Sequence, residues 1–306
     1  MEPVVLSKID KVYTTCLSDS FIESWKNLLI NVYKYVEYDN FLIVPSIFGQ
    51  KVYSYLPLLN YTNKLSQNLP EQLTNVRPFS YQLRLLNSTY RDFQTNDTVV
   101  MRVSLKGKNS EEIWKSVLSH NMKKQLKKSF KEKFTIQRGT QKELIYQFYK
   151  LFSKTMSRLG TPVFGIDLFL QLPKFIDSKY FVVYYENQPV SAMLLVYDND
   201  IVWCPYSGYD EKYQDLRPSH FMFWNGILDS CEKSKVIFDF GRSAYGNNNF
   251  FFKERWSAIP VKVDIIKPKQ ENIYNKYTIA SKIYKIIPER ITSHIGPLLC
   301  KRLSDL

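Results

Sequence analysis

The sequence predicts an α/β protein built on a mixed sheet with helices on both faces. Two observations carry that expectation. Three aromatic and β-branched runs, Tyr180 to Tyr185, Val190 to Tyr197 and Ile201 to Ser207, are separated only by the turn signals Asn187-Gln188 and Asp198-Asn199-Asp200, which marks an antiparallel meander. On either side of it, stretches with apolar residues at helical spacing alternate with short apolar runs, the pattern of helices packed on a sheet.

Taken in order, the second half begins with a short strand, Phe134 to Arg138. A helix from Gln141 to Leu159 follows, with Leu144, Phe148, Leu151, Phe152, Thr155, Met156 and Leu159 on its inner side and Gly160-Thr161-Pro162 ending it. A second helix runs from about Asp167 to Ile176. Beyond the meander, Pro218 and Ser219 open a helix that continues through Cys231. Proline is free of cost there, because its missing N–H would be unpaired in any case. Val236 to Phe240 reads as a buried strand, followed by a Gly/Asn loop, a short helix near Lys253 to Trp256, and a last strand from Val261 to Ile266. The resulting order, β-α-α-β-β-β-α-β-α-β, is that of the acetyltransferase-type (GNAT) fold. Its fourth and fifth strands splay apart and expose backbone donors able to hold an acyl carbonyl.

The first half offers a helix from Phe21 to Val36 and strands near Asn40 to Pro45, Lys51 to Pro57, Tyr81 to Asn87 and Val99 to Leu105. A long helix starts at Ser110, where Glu111 and Glu112 face the positive helix N-terminus, and runs to Lys133. The expected organisation is therefore two GNAT-like units. Residues 1–133 form a degenerate N-terminal copy ending in a basic bridging helix, and residues 134–270 form the C-terminal GNAT domain. Residues 271–306 form a tail of one or two helices broken by Pro288 and Pro297.

Composition narrows the partners. The 306 residues carry 42 basic against 29 acidic side chains, a net charge of +13 that favours polyanions such as RNA, an anionic lipid surface or a phosphate-bearing substrate. The 22 Tyr, 20 Phe and 5 Trp suit half-buried strands. Cys16, Cys204, Cys231 and Cys300 form no C-x-x-C pair, and with three histidines no metal site is expected. Met1 to Asp10 lacks the apolar core of a secretory signal, and no stretch reaches the ~18 apolar residues of a membrane helix. The expectation is a reduced, cytoplasmic protein that touches at most the inner face of a membrane.

The clearest chemical constellation is Phe238-Asp239-Phe240-Gly241-Arg242-Ser243: an acid inside an apolar strand, a glycine turn, and an arginine suited to two-pronged contact with a carboxylate or phosphate. Tyr245 and Gly246 with three asparagines follow as a hydrogen-bonding loop, and Phe250-Phe251-Phe252-Lys253-Glu254-Arg255-Trp256 sets aromatics beside charges. An ion pair between Asp239 and Arg242 that merely fixes the turn is the competing reading.

With Gly160-Thr161-Pro162-Val163, the Pro218 helix, the Phe238 to Ser243 run and Phe252-Lys253-Glu254-Arg255-Trp256 in this order, the chain resembles FemAB-like proteins, most closely the branch associated with exopolysaccharide and envelope loci. The likeness covers roughly Lys115 to Pro260. The Trp-Gly usual after the Phe-Lys pair is Trp256-Ser257 here. The resemblance implies two GNAT-like units and transfer of an acyl or aminoacyl group to an amine of an envelope or polysaccharide precursor. The donor is aminoacyl-tRNA or an acyl-coenzyme A, with no tightly bound cofactor.

The loop that would hold coenzyme A reads Gln214-Asp215-Leu216-Arg217-Pro218-Ser219. It lacks the glycines that let backbone N–H groups approach a pyrophosphate, which disfavours coenzyme A. Arg217 remains a candidate phosphate contact. His220, at a helix start, is pushed toward neutrality, and Tyr206 is placed to enter the cleft. The expected catalytic residues are thus Asp239 as proton acceptor or amine-orienting group, Arg242 as oxyanion stabiliser, and Tyr245. Tyr206, Arg217, His220, Lys253 and Trp256 are expected to contact substrate. Lys123, Lys124, Lys127 and Lys128, on an amphipathic helix, are expected to contact polyanions. Two other functions fit the same residues: an acetyl-coenzyme A N-acetyltransferase acting on an amino sugar, and a non-catalytic RNA- or membrane-binding protein of the same fold.

Overall fold

The computed structural model describes residues 11–38, 41–46, 49–53, 80–87, 92–266, 281–287 and 289–302. A 3-10 turn, Lys11–Thr14, leads into helix α1 (Asp19–Tyr33), which Ser18 caps by accepting the Phe21 N–H. Strands β1 (Val36–Tyr38), β2 (Phe41–Ser46), β3 (Gly49–Tyr53), β4 (Ser80–Asn87) and β5 (Thr98–Ser104) follow. The remainder of the strand expected over Lys51 to Pro57 lies outside the described residues.

The single helix expected from Ser110 to Lys133 is two pieces. A helical turn, Ser110–Glu112, passes into a π-helical turn, Ile113–Val117, and then Leu118 turns extended (ψ 132°). Ser119 caps a new helix, α2 (His120–Ser129), by accepting the Met122 N–H at 3.2 Å. Ser257 Oγ donates to the Val117 carbonyl at 2.6 Å, satisfying a group that the break would otherwise orphan.

The second half adds β6 (Thr135–Gly139), α3 (Lys142–Leu159), α4 (Ile166–Gln171), β7 (Ser178–Tyr185), β8 (Gln188–Asp198) and β9 (Ile201–Tyr209). Next come α5 (Pro218–Glu232), β10 (Ile237–Ala244), α6 (Asn248–Glu254), β11 (Ile259–Ile266) and α7 (Glu289–Arg302). The expected meander is present as β7, β8 and β9. Glu186 and Asn187 both take positive φ (50° and 62°) between its first two strands, the two-residue geometry that matches strand twist. Pro297 lies inside α7 and does not end it.

All these strands join one mixed sheet in the order β1-β2-β3-β4-β11-β5-β10-β9-β8-β7-β6. The halves interleave: β5 of the first half sits between β10 and β11 of the second, antiparallel to both. Alternation along β8 feeds two cores. Ala192, Leu194 and Val196 face a layer with Trp25, Phe148, Phe152 and Phe169 from α1, α3 and α4. Met193, Leu195 and Tyr197 face one with Met122, Phe223, Phe250 and Trp256, from α2, α5, α6 and the turn after it. The chain is thus an α/β fold with helices on both faces of one sheet, as its sequence predicts.

Candidate active site

The site begins where two neighbouring strands stop pairing. β10 runs parallel to β9 only through Ile237↔Ile201, Phe238↔Val202 and Asp239↔Trp203, yet β9 continues to Tyr209 and β10 to Ala244. Past Trp203 and Asp239 the strands part. On its other edge β10 slips by one residue against β5 between Asp239 and Arg242, a bulge built around Gly241 at φ 76°.

Asp239 does not open into this gap. Its side chain is fully buried. One oxygen pairs with Arg102 Nε of β5 at 2.9 Å, and the other accepts the Gly241 N–H at 2.7 Å. Arg102, equally buried, also donates to the carbonyls of Tyr13 and Thr15, both at 2.6 Å. The pair therefore ties β5, the β10 bulge and the N-terminal segment together. The sequence reading of Asp239 as a proton acceptor in a cleft is corrected accordingly. The competing reading paired the acid with Arg242 to fix the turn; in the structure its ion pair is with Arg102.

The cation nearest the gap comes from α6. Lys253 is buried, and its Nζ donates to the carbonyls of Arg242 (2.7 Å) and Gly241 (3.2 Å). Burial lowers its pKa to about 8. Arg242 pushes the same way, while Cys204 and Asp239 oppose it. The two carbonyls take up two of its three N–H groups. Arg242, half-buried on the parted end of β10, lies close enough to influence both Lys253 and Tyr206 electrostatically. Tyr206, on the parted end of β9, packs against Phe152, Phe164 and Phe169. Burial holds its phenol above the usual range, and Arg242 counters that shift in part. Three expected residues, Tyr206, Arg242 and Lys253, are thus gathered at the parting of the strands.

The others are placed elsewhere. Tyr245 lies beyond β10, its ring stacked on Phe93 at 4.9 Å and packed on Phe250, its backbone bonded to Asn96 and Asp97. Trp256 is fully buried among Phe223, Phe240 and His220, which corrects its reading as a substrate contact. His220, in the first turn of α5, packs against Phe252 and Trp256. Burial, then Arg217 and Arg255, lower its pKa to about 4, so the imidazole is neutral at physiological pH. Arg217 takes a left-handed backbone (φ 65°) ahead of α5 and donates to Gln125 of α2 at 3.0 Å and to the Gln214 carbonyl at 2.8 Å.

That first turn is poor in free amides. Pro218 has none, and the N–H groups of Arg217, His220 and Phe221 already bond to the carbonyls of Gln214, Arg217 and Arg217. On α2, Lys124, Lys127 and Lys128 are exposed, while Lys123 is half-buried and donates to the Lys115 carbonyl.

Sequence reasoning missed Arg102. Its signal was an arginine in the middle of an otherwise apolar strand, where a buried charge must find a partner. It also missed Asp229, buried on α5, which accepts from Lys179, Tyr197 and Arg138. Among the described residues no group of three or more His, Cys, Asp or Glu is placed to hold a metal, and no helix is long and apolar enough to cross a membrane.

Comparison with known proteins bears on the fold. Residues 117–254 match the acetyltransferase (GNAT) domain. The crystal structure of FemX superposes with a TM-score of 0.56 at 12% identity, covering 89% of this chain and 95% of FemX. L-PGS from Bacillus licheniformis gives 0.53 at 10% identity, covering 87% and 97%. The C-terminal domain of a protein from Agrobacterium fabrum assigned as a lysylphosphatidylglycerol synthetase gives 0.52 at 8%, covering 86% and 96%. No curated protein matches the sequence significantly. The fold is GNAT-like.

Proposed function

We propose that this chain is an acyltransferase that moves an acyl or aminoacyl group from an activated donor to an amine of a cell-envelope or polysaccharide precursor. The observation that carries the reading is the parting of β9 from β10 beside a buried lysine that bonds to the carbonyls of the bulge and whose pKa burial lowers to about 8. The parting of the strands leaves a gap between β9 and β10 that a substrate carbonyl would enter. Lys253, bonded to two carbonyls of the bulge, offers a fixed cation where negative charge develops.

In the reaction the acceptor amine, as free base, attacks the donor carbonyl. A C–N bond forms and the carbonyl electron pair moves to oxygen, where Lys253 and Arg242 stabilise it. The adduct then collapses. The C–O bond of an ester donor, or the C–S bond of a thioester, breaks, and the leaving group takes the proton lost by the amine. Asp239 stays in its ion pair throughout. The bonded amides and Pro218 at the start of α5 argue against a pyrophosphate cradle, so aminoacyl-tRNA is the favoured donor over acyl-coenzyme A. The shared fold with a lysylphosphatidylglycerol synthetase, whose name describes an aminoacyl group joined to a lipid, supports the same class of reaction.

The test is incubation with charged tRNAs, acetyl-coenzyme A and nucleotide-linked amino sugars or lipid-linked amines, read by mass spectrometry. An acylated amine formed from aminoacyl-tRNA is the expected result. Product from acetyl-coenzyme A alone would transfer the reading to an N-acetyltransferase. Arg242→Lys keeps the charge but loses the planar fork. It should cost about 1–3 kcal/mol in transition-state stabilisation, the range for hydrogen bonds to charged groups. Unchanged turnover in that variant would remove Arg242 from the site.

A further inference from the structure

The tail helix α7 is turned inside out relative to an ordinary surface helix. The positions it buries are small or hydroxylic: Thr292, Gly296 and Cys300, one every four residues. Thr292 Oγ1 meets Ser157 Oγ of α3 at 3.1 Å. A Cβ added to Gly296 would stand 2.9 Å from the Val163 backbone and the Tyr284 hydroxyl. Its exposed positions include, beside His294 and Lys301, the aliphatics Ile291, Ile295 and Leu298, which are 47%, 38% and 69% exposed. The helical segment 281–286 before it repeats the pattern. Tyr284 is buried and donates to the Thr292 carbonyl, while Ile283 and Ile286 are 56% and 82% exposed. Single exposed aliphatics are ordinary, but five on one short segment, with its small and polar residues facing inward, mark a surface that is covered in use.

The charge around these residues says by what. Residues 281–302 hold five basic side chains against one acidic, and Lys282, Lys285 and Lys301 are exposed. A second copy of this chain would bring a like-charged surface from a molecule of net charge +13, and a nucleic acid offers nothing apolar for isoleucines to enter. Aliphatic side chains edged by lysines fit a bilayer with anionic headgroups: the apolar groups enter the acyl boundary and the ammonium groups stay at the phosphates. We infer that the C-terminal tail, residues 281–302, is a docking surface for an anionic lipid bilayer. The inference is independent of the acyl-transfer reading, because it uses neither the parted strands nor α2.

The experiment is co-sedimentation of the full chain with vesicles of phosphatidylcholine, with and without phosphatidylglycerol. The expected result is binding to phosphatidylglycerol-containing vesicles that weakens with added salt. The double variant Ile286→Ser/Leu298→Ser should lower that partition on the order of a hundredfold, the low end of the transfer value of two aliphatic side chains. Its melting temperature should hold, since both residues are exposed. Absence of binding, equal binding to pure phosphatidylcholine, or binding that the tail variant does not reduce would each overturn the inference. So would concentration-dependent dimerisation of the wild type that the tail variant abolishes, which would show a second copy covering the face.

Discussion

The two ends of β10 handle buried charge in opposite ways. At its closed end, Ile237 to Asp239, the strand is paired on both edges, and its one charge is matched by a guanidinium 2.9 Å away. At its parted end the nearby buried charge, Lys253, has carbonyl oxygens as its hydrogen-bond partners among the described residues, and burial lowers its pKa to about 8. A charge given a full counter-charge braces the fold. A charge given only dipoles remains able to titrate and to respond to charge that develops beside it. Under the proposed function the difference gives a structural role to Asp239 and a chemical one to Lys253, although both bond to the same bulge.

The largest expected effect comes from breaking the closed end. Asp239→Asn keeps the size of the side chain but leaves Arg102 buried without its counter-charge. A loss of about 3–5 kcal/mol in unfolding free energy is expected from denaturant titration. Turnover per folded molecule should stay close to wild type. Replacing both partners together, Arg102→Met with Asp239→Leu, should recover a good part of the loss, because the stranded charge is gone. A stable Asp239→Asn variant with turnover reduced by two orders of magnitude would reverse the assignment and return Asp239 to the reaction.

Breaking the parted end should do the reverse. Lys253→Met should cut turnover roughly 100-fold or more, the scale for removing one fixed oxyanion donor, with a smaller change in melting temperature. The pH dependence sharpens the test. If the ammonium form is the active one, the wild-type rate should decline as pH rises through about 8. Stability should move the other way. The folded pKa of Lys253 is depressed below the unfolded value near 10.5, so the unfolded chain binds the extra proton between about pH 8 and 10.5. Its contribution to stability therefore rises across that window. Cys204 opposes it from about pH 9, since burial raises its thiol pKa to about 12 and only the unfolded chain ionises there. The difference between wild type and Lys253→Met, followed by melting temperature from pH 7 to 10, isolates the lysine. A flat difference would mean that Lys253 is not depressed.

The same contrast explains what could be read from the sequence. Local features were legible. The meander announced itself through Asn187 and Asp198, and α3 through its apolar spacing and Gly160, because turns and helices are decided by neighbours in the chain. The break at Leu118 and Ser119 was not. Leu118 is buried whether or not the helix continues, so the apolar period runs across the interruption. The insertion of β5 between β10 and β11 was hidden for a different reason: strand pairing joins residues far apart in sequence. The partner of Asp239 lies 137 residues away, while Arg242, three residues away, looked like the natural mate. At the candidate site, residue types around a glycine turn named Arg242 and Lys253 and the strand reading named Tyr206, three residues that the fold sets near the parting of β9 and β10. Burial then decided which of the remainder, Asp239 and Trp256 among them, belong to the scaffold.

The smallest effect on the fold is expected on α2, where charge is neither matched nor buried. Lys124, Lys127 and Lys128 stand exposed on a helix whose apolar side, Met122 and Leu126, is buried. Gln125 on the same helix accepts a hydrogen bond from Arg217 ahead of α5, so the lysines share their helix with the residue that holds this candidate phosphate contact. Replacing the three with glutamine should change stability by no more than about 0.5 kcal/mol, the usual range for exposed positions. If α2 touches tRNA phosphates, affinity for tRNA should fall and the slope of log affinity against log salt should flatten by roughly 0.7–0.9 for each phosphate no longer neutralised. Filter binding across a salt series measures both. An unchanged slope would leave these lysines as a solvated face and confine donor recognition to Arg217 and the parted strands. A flattened slope with unchanged melting temperature would extend the site from the gap between β9 and β10 along the outer surface of α2.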